Sequence, residues 1–263
     1  MSGTDQPVLH DVRGHVFWIT INRPSRGNAI NQEVTSGISA GVEAAMANDA
    51  IRAIVLTGAG DRTFCAGGDL KPTEDGAPFK ADPARPGNMV TDMFRVIERC
   101  GLPIIARVNG HALAGGLGLL CACDLVVAKE TARLGTPESG IGLFPLMILP
   151  YMLRIVPRRR LLEMCVTGEP FSAQEALDMD LVNYVVPDGE LDAKVEWLLA
   201  RIVDKSPTAI RVGKTAFHAM QDMSLHEGFS YAELMLPALA QTEDAKEGFA
   251  AYNEKRPPVW VNR

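Results

Sequence analysis

The chain predicts an α/β fold with a helical C-terminal part. Apolar runs of strand length alternate with helical patterns through its N-terminal portion. Two of those runs end in glycine-rich turns that lead toward candidate helix starts. From Asp188 onward almost every segment has helical character. Strands that alternate with helices favour an α/β core, and a run of helices after them favours a separate helical layer.

The elements follow in order. Residues 7–13 and 15–22 alternate about Gly14, as a β-hairpin does. Arg23, Pro24, Ser25, Arg26 and Gly27 form a loop. Asn31 is a helix N-cap, and its helix runs to about Met46. Residues 52–58 read as a strand. Residues 71–86 are rich in proline, glycine and charge, the composition of a surface loop. An amphipathic helix over 87–100 and a strand over 103–108 come next. The second glycine turn opens a buried helix, residues 124–128 form a short strand, and 181–186 the last one. Helices are expected over 191–204, 207–220, 227–239 and 242–254. The break at Pro187-Asp188-Gly189 divides a core, residues 1–187, from a helical C-terminal region, residues 188–263.

Composition narrows the function classes. A chain of 263 residues, 47% of them hydrophobic, can bury a sizeable core. A net charge of −6 argues against general binding to nucleic acid or anionic membranes. The five cysteines are scattered and odd in number, so no disulfide framework is expected. Cys121-Ala122-Cys123 lacks the second pair of a zinc site. Cys65 lies inside a glycine turn, but no histidine is visibly placed to activate it. Residues 1–8 lack a signal or transit pattern, and no stretch reaches the roughly 20 apolar residues of a membrane span. A cytoplasmic location is the expectation.

The chemistry concentrates in the two glycine turns, about fifty residues apart. They are Phe64-Cys65-Ala66-Gly67-Gly68-Asp69-Leu70 and Asn109-Gly110-His111-Ala112-Leu113-Ala114-Gly115-Gly116-Leu117-Gly118. Glycine lets the chain bend tightly and lets a ligand approach the exposed backbone N–H groups. One N–H from each turn, aimed at the same oxygen, makes an oxyanion hole. The first turn lacks the Gly-Lys-Ser/Thr ending of a phosphate loop. Gly58-Ala59-Gly60 is no dinucleotide fingerprint, because Thr63 holds the third glycine position. There is no Gly-x-Ser-x-Gly nucleophile elbow, and among five histidines only His111 adjoins a glycine turn. A hydrolytic triad therefore has no good base, and His111 is expected to hydrogen-bond backbone. Downstream, Leu134-Gly135-Thr136-Pro137-Glu138 offers one loop carboxylate.

In order and spacing, these parts resemble the crotonase superfamily, the enoyl-CoA hydratase/isomerases. Further blocks carry the resemblance: Ile19-Thr20-Ile21-Asn22-Arg23-Pro24 with Asn28-Ala29-Ile30-Asn31, Cys123-Asp124, Phe171-Ser172-Ala173-Gln174-Glu175-Ala176 with Leu181-Val182, Lys246-Glu247-Gly248 and Glu254-Lys255-Arg256. The resemblance implies a spiral of ββα units with helices outside. It also implies a C-terminal region that packs across subunits in trimers or hexamers, and an acyl-CoA thioester substrate. No metal or further cofactor is implied, coenzyme A being part of the substrate. The N–H groups of Gly68 and Gly115 would hold the thioester oxygen, and Glu138 would be the acid/base. Arg26 and Lys255, the latter toward a neighbouring subunit, would meet CoA phosphates. Ala66, Asp69, Leu70 and His111 complete the expected substrate-binding set.

One departure shapes the expected reaction. Members of the family that hydrate efficiently carry a glutamate in the second glycine block and another in the later loop. Here the first position is Gly118 and the second is Glu138. One carboxylate beside an oxyanion hole suffices for a 1,3-proton shift, so double-bond isomerisation is expected over hydration. Asp69 and Asp124 are the acids that could compensate. The apolar stretch 139–147 should desolvate Glu138 and raise its pKa. That stretch, with Met89, Met93 and Phe94, either lines the acyl pocket or is core. Decarboxylation of a malonyl-type CoA and non-catalytic acyl-CoA binding are the alternatives.

Overall fold

The computed structural model describes residues 6–70 and 87–263; the surface loop expected over 71–86 lies outside the described residues. In chain order the elements are β1 (Val8–Arg13), β2 (Val16–Ile21), α1 (Gln32–Met46), β3 (Ala53–Gly58), β4 (Thr63–Cys65) and α2 (Met89–Glu98). Next come β5 (Ile104–Val108), β6 (His111–Leu113), α3 (Gly115–Cys121), β7 (Leu125–Lys129), β8 (Arg133–Gly135), α4 (Leu149–Ile155) and α5 (Arg158–Thr167). The chain closes with β9 (Phe171–Ser172), α6 (Ala173–Asp178), β10 (Tyr184–Val186), α7 (Leu191–Val203), α8 (Pro207–Met220), α9 (Leu225–Ala240) and α10 (Glu243–Glu254).

The larger sheet has six strands in the order β1-β2-β3-β5-β7-β10. The β1–β2 hairpin is antiparallel and turns through Gly14 at φ +59°; the remaining pairings are parallel. Side chains alternate between its faces. Ile19, Ile21, Ile54, Leu56 and Ile104 enter the main core, where α1, α2 and α3 pack. Val16, Trp18, Val55, Ile105 and Val127 face the other way, onto Leu191, Val195, Leu198 and Leu199 of α7. Helix α7, the first of the C-terminal helices, thus covers the sheet directly. Burial on both faces explains why β3, β5 and β7 read as continuous apolar runs.

The helix starts obey local chemistry. Asn31 Oδ1 accepts the Val34 N–H at 3.0 Å, as the sequence predicts. Ser172 with Glu175, and Ser224 with Glu227, form capping boxes at α6 and α9. Among the described residues no helix is long and apolar enough to cross a membrane.

A second sheet, β4-β6-β8-β9, was not anticipated from the residue pattern. Its strands are two or three residues long, too short for a period-two signal. Three of the four lie just beyond a strand of the larger sheet: β4 after β3, β6 after β5, β8 after β7. This repeated strand–strand–helix turn is the spiral that the resemblance implies. It also corrects the simple reading of the glycine turns, which emerge from β4 and β6 and not directly from the longer apolar runs. Helices α4, α5 and α6 were likewise not anticipated; α4 opens on Leu149-Pro150, a breaker signal.

Candidate active site

The small sheet assembles the site. Strands β4, β6 and β8 are adjacent and parallel. Ala66 to Gly68 leave the C-terminal end of β4, Ala114 and Gly115 leave β6, and Thr136 to Glu138 leave β8. Three sequence-distant segments are therefore delivered to one edge, the carboxyl ends where open parallel sheets bind ligands.

The first turn is fixed by a bridge to Ile30, two residues before α1. Ile30 N–H donates to the Gly67 carbonyl at 2.7 Å, and Asp69 N–H donates to the Ile30 carbonyl at 2.8 Å. A parallel bridge that uses the groups on either side leaves the Gly68 N–H turned away from it. Gly67 sits at φ +100°, a conformation glycine adopts readily. Asn28 braces the same loop: its amide donates to the carbonyls of Ala59 and Thr63.

The second turn is set by strain. Ala114 has φ +50°, unusual for a residue with a Cβ, and its N–H donates to the Gly135 carbonyl at 2.9 Å. Gly115 is the first residue of α3, so its N–H has no acceptor within the helix. The two turns touch backbone to backbone. A Cβ on Gly67 would stand 3.2 Å from the Gly115 nitrogen, and one on Gly115 would stand 3.7 Å from the Gly68 nitrogen. Neither Gly68 nor Gly115 is buried.

Glu138 stands in a short 3₁₀ turn, Pro137–Ile141, separated only by Thr136 from Gly135, which Leu113 pairs with across β6 and β8. It is half-buried, and its Oε2 is buried with no hydrogen-bond partner among the described residues. Burial pushes its carboxyl above the ordinary glutamate value; its own backbone N–H pulls weakly the other way. A carboxyl poised in this way takes and returns protons readily.

The other expected residues lie as follows. Asp69 pairs with Arg23 at 2.8 Å. Ala66 and Leu70 are exposed on the first turn. His111 is exposed on β6, and its Nδ1 accepts the Arg133 N–H at 3.1 Å. Arg26 is exposed at the end of a 3₁₀ turn, Pro24–Arg26. Lys255 caps α10 at φ +55°, on an element that packs against α8 and α9. Asp124 is engaged elsewhere: it pairs with Lys214 at 2.6 Å and accepts the Ile104 N–H at 2.7 Å. Burial raises its pKa, yet His218, Lys214 and the Ile104 N–H together hold it below the ordinary value. Cys65 is buried, which pushes its thiol up to about 12, so it is a core thiol and no nucleophile. Met93 and Phe94 are core residues, while Met89 is exposed.

Comparisons with known proteins give the family. The family model described as enoyl-CoA hydratase/isomerase matches residues 11–263. The chain belongs to the enoyl-CoA hydratase/isomerase family. It is 35% identical over 262 residues to the (E)-benzylidenesuccinyl-CoA hydratase of Thauera aromatica, covering 97% of this chain and 98% of that one. It is 34% identical to the carnitinyl-CoA dehydratase of Salmonella typhi, at 97% and 98% coverage. Among solved structures, human enoyl coenzyme A hydratase domain-containing protein 3 superposes at TM-score 0.90 with 28% identity, covering 97% of this chain and all 100% of that one. An enoyl-CoA hydratase subunit from Geobacillus kaustophilus gives 0.88 with 34% identity and 98% of each chain. The crotonase fold is thus shared along the whole molecule. Two contributors escaped the sequence reading. Ala114 was hidden because alanine is not expected at positive φ, and Arg23 because a loop arginine reads as surface charge.

Proposed function

We propose that this crotonase-superfamily protein is an enzyme that shifts the double bond of an enoyl-CoA thioester, with Glu138 as its acid/base. The observation that carries this reading is the delivery of Gly68, Gly115 and a half-buried carboxyl with an unpartnered Oε2 to three adjacent strand ends. In the reaction, carboxylate Glu138 removes a proton from the carbon beside the thioester. The electron pair moves onto the thioester oxygen, where the two N–H groups meet it. Glu138, now the acid, returns the proton to the γ-carbon, and the conjugated thioester forms. Preorganised donors favour the charged intermediate over the neutral substrate, and one donor is worth about 3–4 kcal/mol of barrier. Asp69 and Asp124 are committed to Arg23 and Lys214, which supports Glu138 acting without a second acid.

Water addition is the second reading, favoured by relatives that are named a hydratase and a dehydratase. Arg26 and Lys255 are proposed to meet the CoA phosphates. Self-association is also proposed, as a trimer or a pair of trimers. Helix α9 has no buried residue although Leu225, Phe229, Leu234 and Leu236 lie along it. Purified protein assayed on trans-3-hexenoyl-CoA and crotonyl-CoA, with Glu138→Ala as control, tests the reaction. Conjugation without mass change, lost in the variant, is expected. Gain of one water on crotonyl-CoA in place of conjugation would favour the second reading.

A further inference from the structure

Gly118 lies one helical turn after Gly115 on α3, on the same face of the helix. A Cβ there would stand 2.1 Å from Ile148 Cγ2, 2.7 Å from Ile148 Cβ and 3.2 Å from Phe94 Cζ. The first two distances are not physical contacts, so even alanine has no room. A change of rotamer at Ile148 does not relieve this, because its Cβ moves only with the backbone. That backbone is held where α4 begins. Ile148 N–H donates to the Pro145 carbonyl, and the Ile148 carbonyl accepts from the N–H groups of Tyr151 and Met152. Tyr151 in turn stacks edge-on against Phe94 and donates to its carbonyl at 3.3 Å. Ile148 is 2% exposed and Phe94 5%, so the volume beside this face of α3 is filled, apolar and dry.

We propose that Ile148 determines which reaction this site performs: by filling the space beside Gly118 it excludes a second proton-carrying group and the water such a group would hold. Glu138 is then left to act alone. The proposal rests on the reading of Glu138 as the acid/base. It makes the absence of a carboxylate at 118 a property of two residues, and it assigns the specificity to the one that no sequence motif marks.

The test is the ratio of water addition on crotonyl-CoA to conjugation of trans-3-hexenoyl-CoA, read by product mass. Proteins for it are the wild type, Ile148→Leu, Ile148→Ala, Gly118→Glu, and Gly118→Glu combined with Ile148→Gly. A loss of stability alone lowers both activities together and leaves the ratio in place. The ratio should climb from wild type through Ile148→Leu, which has no branch at Cβ and can vacate the Cγ2 position, to Ile148→Ala. The rise should be about tenfold at the end, less than the roughly 10²–10⁴ of a positioned proton-transfer group, because only space for water is gained. Gly118→Glu alone should gain no hydration, and the double variant should gain the most. Ile148→Leu nearly conserves volume while removing the branch that carries Cγ2, and keeps the test informative if the larger truncation does not fold. Glu138-dependent conjugation with an unmoved ratio in both Ile148 variants would overturn this proposal alone. So would hydration gained by Gly118→Glu without relief at 148. Wild-type silence on both substrates would overturn the reading of Glu138, and this proposal with it.

Discussion

Arg23 reaches from the loop before α1 to pair with Asp69, the residue directly after Gly68, at 2.8 Å. Its other nitrogen donates to the Ala29 carbonyl at 2.6 Å. Both side chains of the pair are about four-fifths shielded, at 18% and 21% exposure. The guanidinium thus fixes the bridge that turns the Gly68 N–H outward. Arg23→Met should cost about 1–3 kcal/mol, the range for hydrogen bonds to charged groups. Turnover should fall by up to about a hundredfold, since a small misplacement of a donor is costly. Urea denaturation and steady-state kinetics check this; an unchanged midpoint and rate would show that the pair is idle.

Gly67 carries two separate constraints. Its φ of +100° disfavours any side chain, and a Cβ would press to 2.6 Å from Ala114 Cβ and 3.2 Å from the Gly115 nitrogen. Gly67→Ala should therefore displace the second donor as well as strain the first turn. A strained backbone costs about 1–3 kcal/mol of stability. Loss of one oxyanion donor lowers turnover by about 10²–10³. Gly14→Ala is the matched control, because Gly14 also has a positive φ, +59°, and a Cβ there meets nothing within 4 Å. Equal behaviour of the two variants would refute the contact between the turns as a functional one.

Glu138 links pH to both rate and stability. Burial raises its folded-state pKa above that of the unfolded chain. The protonated form is then the better tolerated one. Its contribution to stability is full below the unfolded pKa and is lost as pH rises through the folded value. Glu138→Gln should consequently melt higher than wild type at neutral pH, with the gap closing in acid. Proton abstraction needs the carboxylate, so wild-type rate should rise with pH through the same raised value. The variant should lose about 10²–10⁴ in turnover at all pH values while still binding acyl-CoA. Melting curves and a pH–rate profile together decide this; a variant that melts lower at neutral pH would contradict the desolvated carboxylate.

Helix α9 predicts the assembly. Leu225, Leu234 and Leu236 are 76%, 75% and 69% exposed, on a helix with no buried residue. Burying one such side chain is worth about 1.5–3 kcal/mol. Sedimentation of the purified chain should show a trimer or hexamer, and Leu234→Glu should shift it toward monomer. A wild-type monomer at micromolar concentration would remove self-association as the reason for this face.

The residues by themselves determined the larger sheet, helices α1 to α3 and α7 to α10, and the candidates for the reactive groups. Strands β3, β5 and β7 are buried on both faces, so they read as apolar runs, and Asn31 announced the start of α1 through cap chemistry. Gly67-Gly68, Gly115 and Glu138 were legible because their chemistry belongs to the residue type: backbone freedom in the glycines, proton transfer in the carboxylate. Tertiary structure alone decided how those groups meet. The short strands β4, β6 and β8 exist because neighbours pair with them, and no local preference marks them. Ala114 holds a conformation that alanine disfavours because the Gly135 carbonyl fixes its N–H. Ile148 fills the space beside Gly118 from thirty residues further along the chain, a contact that exists only once α4 packs on α3. Residue type carries intrinsic chemistry, whereas the distance between residues remote in sequence is set by packing.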